Sequence, residues 1–323
     1  MRKLITAAGA ACFSFTLMTA AGAATLAPGL PAAVAETFDV GMLHVERYAG
    51  RGPAVILIPG LASGAWTWNG TLPPVAPGVP VERVIPNNGV IPHLVSSYTV
   101  YSVTLAGFAG RPAPSGEVSI ARFDADLSAL LTGRGIVRPV LVGHSLGGTL
   151  AIAYAEAHPD RLAAVVAIDG LPVFPAVAQM TAVERAGAAA RFGAGVRAQS
   201  DEQFAAYERQ YMATIGVTDA ELAGQIAAAS AQSDRATVGS WLQADLAADL
   251  RPDLPKITVP LTEITGWSSG EPYTEAQKAA FYGALLGGAP KATVVTIAGA
   301  KHFVMLDQPE KLNAALDAAL ARR

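Results

Sequence analysis

The chain has 323 residues, of which 51% are hydrophobic and 15% charged, and its formal net charge at pH 7 is −3. This length and hydrophobic content suit one large domain, or a domain with an insertion, and argue against global disorder. No basic run or stripe is present, so nucleic acid and anionic membrane surfaces are not expected partners.

The first 24 residues have the pattern of a secretory signal peptide. A basic start precedes an uncharged run over residues 4–18, and small residues up to Ala24 suit cleavage. The run is short and Ala-rich for a spanning helix, so we expect no stable membrane anchor. We therefore expect export to the periplasm or beyond, and a mature chain without the single cysteine, Cys12.

Short apolar runs alternate with helical patterns along the rest of the chain. The apolar runs predict strands over 45–50, 54–60, 99–110, 140–143, 162–169, 259–267 and 292–299. Helical spacing predicts helices over 119–133, from the end of the strand over 140–143 to about 157, over 274–286 and over 308–321. The alternation predicts an α/β fold with a doubly wound, mostly parallel sheet. A site is then expected at the carboxyl ends of the strands.

Two segments depart from this alternation. Residues 172–250 are Ala-rich and helical in pattern, without a strand signal, and we predict that they form a helical cap inserted into a core of 36–171 and 251–323. Residues 71–92 are rich in proline and contain Asn-Asn-Gly. This second segment is interpreted as a long irregular surface loop.

Gly143-His144-Ser145-Leu146-Gly147 matches the pattern G-x-S-x-G between a predicted strand and a predicted helix. The turn is so tight that side chains at the glycine positions would clash. It lifts the serine hydroxyl above the sheet, where the next N–H also points. We therefore predict that Ser145 is a nucleophile rather than a residue of an ordinary turn.

A serine nucleophile needs a general base, and His302 is the candidate. It follows the last predicted strand, where the chain order of nucleophile, acid and base places the histidine. The other four histidines are not assigned to the reaction: His144 is expected to pack beneath the turn, His158 is interpreted as structural, and neither His44 nor His93 is given a role.

An oxyanion hole needs two convergent N–H donors. Leu146 supplies one, and Leu61, in the loop after the strand over 54–60, is our choice for the other. Trp66, Phe108 and Phe174 are candidates for the wall of an apolar pocket, although core packing is the alternative for each.

The segments LIPGLASGAWTW, TLAGFAG, GHSLGG and KHFVMLDQPE together resemble the α/β-hydrolase fold family, over about residues 40–320. The resemblance implies a Ser-acid-His triad, a cap over the pocket and hydrolysis of esters or related bonds. A serine nucleophile sets the chain apart from the haloalkane dehalogenase and epoxide hydrolase branches, which resemble this core but use Asp.

The position of the acid departs from the usual family pattern. The family acid usually follows the strand predicted over 259–267 as an Asp, and the first carboxylate there is Glu271. Asp169, at the end of the strand after the nucleophile helix, is the other candidate, because adjacent strand ends converge on one face. We favour Asp169, with Glu271 second, and interpret Asp307 as a helix N-terminal acid.

These features predict an exported serine hydrolase, similar to carboxylesterases and lipases, that cleaves a small, apolar ester through an acyl-enzyme. No metal and no organic cofactor is implied. The alternatives are a non-catalytic binding protein on the same fold, or a haloperoxidase-like or lyase-like reaction on the same triad, because fold does not fix chemistry. The sequence does not predict an oligomeric state.

Overall fold

The structure, a computed structural model, describes residues 32–72 and 89–323. The predicted signal peptide, residues 1–24, lies outside the described residues, as does most of the proline-rich segment. The end of that segment is not irregular as predicted, because a short helix covers Val90–Leu94. Among the described helices, none is both long enough and apolar enough to cross a membrane.

One eight-stranded sheet forms the centre of the described chain. Its strands are β1 (Glu36–Val40), β2 (Leu43–Tyr48), β3 (Ala54–Ile58), β4 (Thr99–Leu105), β5 (Val140–His144), β6 (Ala164–Ile168), β7 (Leu261–Trp267) and β8 (Ala292–Ala298). Their order across the sheet is β1-β2-β4-β3-β5-β6-β7-β8. The pairs β1/β2 and β2/β4 are antiparallel and all others are parallel, which confirms the predicted mostly parallel sheet.

The central strands are buried and mostly apolar because helices cover both faces of the sheet. Every residue of β5 and β6 is buried. The eleven α-helices of the described residues are α1 (Trp66–Asn69), α2 (Val90–Leu94), α3 (Ile120–Gly133), α4 (Leu146–Ala157), α5 (Ala182–Arg197), α6 (Asp201–Tyr211), α7 (Ala220–Ser230), α8 (Arg235–Ala247), α9 (Glu275–Leu286), α10 (Val304–Asp307) and α11 (Pro309–Leu320).

Strand β1 was not predicted from the sequence. It is an edge strand whose residues alternate between partly buried and exposed, and it carries Glu36 and Asp39. Its apolar signal is therefore weak. The predicted strand over 99–110 was too long, since β4 ends at Leu105 and a turn follows in which Gly107 has a φ of +84°.

Residues 172–250, the cap segment, lie between β6 and β7 and contain helices α5 to α8. The two ends of this segment meet: Val173 forms an isolated β-bridge with Asp249, and the Leu250 N–H donates to the Pro172 carbonyl at 2.7 Å. Because the two ends lie side by side, β6 and β7 are neighbours in the sheet although the cap segment separates them in the sequence. The cap helices are thus placed over one end of a continuous sheet.

Candidate active site

Ser145 occupies the turn between β5 and α4 with a φ of 52° and a ψ of −123°. A positive φ is strained for any residue other than glycine, and such strain is found at functional sites. A Cβ at Gly143 would clash with the Gly147 carbonyl, and one at Gly147 would clash with the Ile58 carbonyl. The two glycines therefore allow the close packing that this turn requires.

His302 lies in the loop between β8 and α10, and its ring pairs with Asp169, the residue that follows β6. The His302 Nδ1 to Asp169 Oδ2 distance is 2.5 Å, and only 12% and 9% of the two side chains are exposed. Because His302 and Ser145 line the same cavity, the structure brings together all three residues predicted for the triad.

Asp169 is held by more than the histidine. Its Oδ1 accepts hydrogen bonds from the Thr265 hydroxyl and the Tyr282 hydroxyl, each at 2.7 Å. Burial acts to raise the pKa of Asp169, but the hydrogen bond and charge of His302, followed by Lys278 and Thr265, hold it below its ordinary value. Asp169 is therefore ionised at neutral pH and suited to orient an imidazole.

Glu271, the second candidate for the acid, is engaged elsewhere. Its carboxylate accepts from the Ser268 N–H at 2.9 Å and from Lys278 Nζ at 3.1 Å. These bonds hold the turn between β7 and α9. The structure therefore brings Asp169, and not Glu271, to the His302 ring.

His144 is fully buried beneath the turn, and its Nε2 lies 3.1 Å from the His302 carbonyl oxygen. Burial, with the nearby charge of His302, lowers the pKa of His144 well below the ordinary value for histidine. A neutral His144 thus donates to the backbone that carries the predicted base. The remaining three histidines each pair with a separate carboxylate, in the pairs His44–Asp39, His93–Asp317 and His158–Asp124.

The loop after β3 packs directly against Ser145. A Cβ at Gly60 would lie 3.0 Å from the Ser145 Cβ, and Leu61 lines the cavity that contains the serine. Leu146 is the first residue of α4, so its N–H lies at the positive end of the helix dipole. Among the hydrogen bonds of the described residues, none uses the N–H of Leu61 or of Leu146. Both donors predicted for the oxyanion hole are therefore available.

The cavity above Ser145 has two lobes. The smaller, of about 90 Å³, reaches Gly60 and Leu61, and the larger, of about 190 Å³, reaches Thr149. Five residues line both lobes: Ser145, Phe174, Tyr211, Asp245 and His302. The serine therefore lies between the two lobes. A substrate with one part in each lobe would place the bond between those parts at the serine.

Of the three aromatic residues predicted to line a pocket, only Phe174 borders these lobes. Trp66 is 4% exposed and stacks on Phe303, with ring centroids 5.9 Å apart. Phe108 is fully buried in the main apolar cluster. The prediction was wrong for Trp66 and Phe108 because both side chains pack into the core beneath the loops that carry them.

The loop that carries His302 is bonded to the cap segment. The N–H groups of His302 and Phe303 donate to the carbonyls of Ile215 and Gly216, in a π-helical turn over Met212–Gly216. Asp307 accepts from the Thr218 N–H and hydroxyl and from the Lys301 N–H. Asp307, interpreted as a helix N-terminal acid, lies in the single turn of α10, and it also bonds the His302 loop to the cap.

Sequence reasoning missed two carboxyl groups that the cap contributes to the cavity, Glu208 on α6 and Asp245 on α8. Each lies within an apolar helical stripe: Phe204, Glu208 and Met212 are four residues apart, and Asp245 follows Trp241 by four. A carboxyl at a core-facing position is the signal that could have located both.

Comparison with known proteins places this geometry in a family. Residues 55–315 match the model of the alpha/beta hydrolase family. The chain belongs to this family. Among solved structures, a thermophilic esterase from Thermogutta terrifontis superposes with a TM-score of 0.66 at 19% identity, over 89% of this chain and 98% of that one.

Curated relatives match over part of their length. A pimeloyl-[acyl-carrier protein] methyl ester esterase from Aeromonas hydrophila is 30% identical over 42% of this chain and 44% of its own. The lipase LipV from Mycobacterium tuberculosis is 33% identical over 42% of each chain. The chain therefore spans less than half the length of these relatives.

Proposed function

We propose that the protein is an exported serine hydrolase that cleaves a carboxylic ester of a small molecule. The observation that carries the proposal is the buried His302–Asp169 pair, whose imidazole lines the same cavity as Ser145. The esterase and lipase among the curated relatives support an ester as the substrate. Export rests on the sequence of residues 1–24.

In this mechanism His302 accepts the Ser145 hydroxyl proton as the serine oxygen attacks the ester carbonyl. The N–H groups of Leu61 and Leu146 hold the oxyanion that forms. Collapse of the tetrahedral intermediate breaks the bond to the alcohol, which leaves with the proton from His302. Water then attacks the acyl-enzyme, again through His302, and releases the acid. Asp169 keeps the imidazole oriented and stabilises its charged form throughout.

A fluorophosphonate probe tests the nucleophile directly, because it labels activated serines and is read by intact mass. We expect the wild-type protein to gain one adduct and Ser145→Ala to gain none. Ser240→Ala is the matched control, since that serine donates to the Ala236 carbonyl within α8. Labelling that persists in Ser145→Ala would overturn the proposal.

Hydrolysis and export are tested separately. Turnover of p-nitrophenyl esters of increasing chain length distinguishes a hydrolase from a binding protein, and we expect turnover that Ser145→Ala abolishes. A folded wild-type protein that turns over none of them contradicts hydrolysis. For export, the protein recovered from a secreting bacterial host is expected to begin at residue 24 or residue 25, as read by N-terminal sequencing. An intact N-terminus in the cytoplasmic fraction contradicts export.

A further inference from the structure

The cap presents two carboxyl groups to the nucleophile that the proposed ester cleavage does not use. Glu208 is 5% exposed and lines the smaller lobe, whereas Asp245 is half-buried and lines both. Within the described part of the chain, the Glu208 carboxyl has no hydrogen-bond or ion-pair partner. A buried carboxyl without a partner is costly, and native structures keep such groups for a reason.

The surroundings of these carboxyls have the chemistry of a cation site. Four Phe and Tyr side chains, those of Phe174, Tyr207, Tyr211 and Phe303, line the smaller lobe with them. No Lys or Arg is found among the described residues that line either lobe. Aromatic faces attract cations, most strongly where water is excluded, and a carboxylate adds a full opposite charge.

The shape of the lobe limits what it holds. The smaller lobe has a volume of about 90 Å³, which suits a compact head group. The larger lobe, of about 190 Å³, lies across Ser145 and takes the other side of the scissile bond.

From this arrangement we propose that the smaller lobe binds an ammonium or quaternary ammonium group, so that the protein cleaves esters of cationic small molecules. The inference rests on the proposed function, because it names the substrate class of the same site. Glu208 and Asp245 are specificity-determining residues in this account. The bound cation supplies the ion pair that Glu208 lacks in the free protein, which offsets the cost of its burial.

The protonation of the two groups supports this account. Burial raises the pKa of Glu208 to about 7. Burial also raises the pKa of Asp245, to about 6, while Thr149 and His302 act to lower it. A carboxyl with a raised pKa is ionised above that value, so both groups carry their charge near pH 8, where an ester hydrolase with a histidine base operates.

Isosteric ester pairs test the proposal with charge as the only difference. The first pair is p-nitrophenyl 4-(trimethylammonio)butanoate and p-nitrophenyl 5,5-dimethylhexanoate, and the second is acetylcholine and 3,3-dimethylbutyl acetate. They place the cation on the acyl side and the alcohol side, respectively. We expect kcat/KM at pH 8 to favour the cationic member of at least one pair by about tenfold.

Charge-removing variants assign the preference to the cap carboxyls. Glu208→Gln and Asp245→Asn are each expected to lower the cationic-to-neutral ratio several-fold. The matched control is Glu202→Gln, the same change at an exposed position on the same helix, which leaves the ratio as in the wild-type protein. Circular dichroism verifies that each variant is folded.

A measurement on the wild-type protein avoids dependence on the variants. Choline is expected to inhibit hydrolysis of p-nitrophenyl acetate at about tenfold lower concentration than 3,3-dimethylbutan-1-ol. Equal kcat/KM values for the two members of each pair, together with equal inhibition by choline and by 3,3-dimethylbutan-1-ol, would overturn the cation site while leaving Ser145-dependent hydrolysis intact. Preference for the neutral ester in both pairs would overturn it too, and would assign the carboxyls to neutral hydrogen bonding. Absence of all ester turnover would instead contradict the proposed function.

Discussion

Asp169 and Glu208 are buried carboxyl groups beside the same cavity, yet their surroundings are opposite. Asp169, at the end of a core strand, is bonded to His302, Thr265 and Tyr282 and its pKa lies below the ordinary value. Glu208, on a cap helix, has no partner among the described residues, and burial raises its pKa. The sheet side of the site is therefore complete without a ligand, whereas the cap side is not.

This contrast separates two tasks within one cavity. The loops at the strand ends hold groups whose charges are fixed in advance, which is what proton transfer and oxyanion stabilisation require. The cap holds groups whose charge depends on pH and on what is bound. In the proposed function, the core therefore determines which bond is broken, and the cap determines which molecule is accepted.

Removing the carboxylate on the sheet side has the largest expected effect. Asp169→Asn keeps the shape but leaves the imidazole without its charged partner, and we expect kcat for p-nitrophenyl acetate to fall by about 10⁴-fold. Glu271→Gln is the matched control, since its carboxylate holds a turn, and we expect kcat to stay within about threefold of the wild-type value. The reverse ranking would make Glu271 the acid.

The contrast also shows which parts of the site can be predicted from the sequence. Ser145, His302 and the donors at Leu61 and Leu146 were predicted because local turn chemistry and chain order specify them. Two acids remained possible since sequence alone does not say which strand end reaches the imidazole. The supports Thr265 and Tyr282 were not predicted, because a hydroxyl on a strand or helix has no sequence pattern that marks a partner far along the chain.

The cap was predicted as a helical segment but not as a polar surface. Its Ala-rich composition indicates helices, and which face of each helix meets the cavity depends on how α5 to α8 pack. Gly193 on α5 and Gly239 on α8 illustrate this. A Cβ at Gly193 would lie 2.5 Å from the Gly239 carbonyl, so the contact exists only with both backbones in place.

A smaller effect on kcat is expected when a residue that donates a hydrogen bond to Asp169 is changed. Thr265→Val replaces the hydroxyl that donates to Oδ1 with a methyl group, and we expect kcat to fall about tenfold. Because this hydroxyl helps to hold the carboxylate against the His302 ring, its loss is expected to lower kcat while KM for p-nitrophenyl acetate stays within about twofold of the wild-type value.

Thr262→Val is the matched control, since Thr262 lies on the same strand and bonds to Arg322 instead. We expect its kcat to match that of the wild-type protein. An unchanged kcat in Thr265→Val would show that Asp169 does not depend on this hydroxyl.

On the cap side, the role of the two carboxyl groups is tested by changing the pH. The preference for a cationic ester is expected to decline from about tenfold at pH 8 to nearly one at pH 5, as Glu208 and Asp245 become protonated. The groups that face these two are Tyr207, Tyr211 and His302. His302 acts on both esters of a pair, so its contribution cancels in the ratio. A ratio that does not change between pH 8 and pH 5 would contradict a role for these carboxylates.

The smallest expected effect concerns stability. Glu263 is fully buried on β7, and burial, followed by the charge of Asp169, raises its pKa well above the ordinary value. The folded state then binds this proton more tightly than the unfolded chain. Its contribution to stability is therefore greatest below the unfolded pKa and declines as pH rises toward the folded one.

Glu263→Gln removes that dependence, and we expect its Tm to exceed that of the wild-type protein by a few degrees at pH 8 and to match it near pH 4. Differential scanning calorimetry across this range measures the difference. The control is Glu275→Gln, an exposed residue in the first turn of α9. A Tm difference that shrinks as pH rises would show that Glu263 is charged in the folded protein.

The bonds from His302 and Phe303 to the Ile215 and Gly216 carbonyls make the predicted base a shared component of core and cap. If this end of the cap moved outward, the imidazole would move with it, away from Asp169. In the proposed function, opening of the cap at this end for product exit would therefore also move the base out of position for proton transfer. Among the described hydrogen bonds, none joins α5 to the loop that carries His302, so this restraint acts at one end of the cap only.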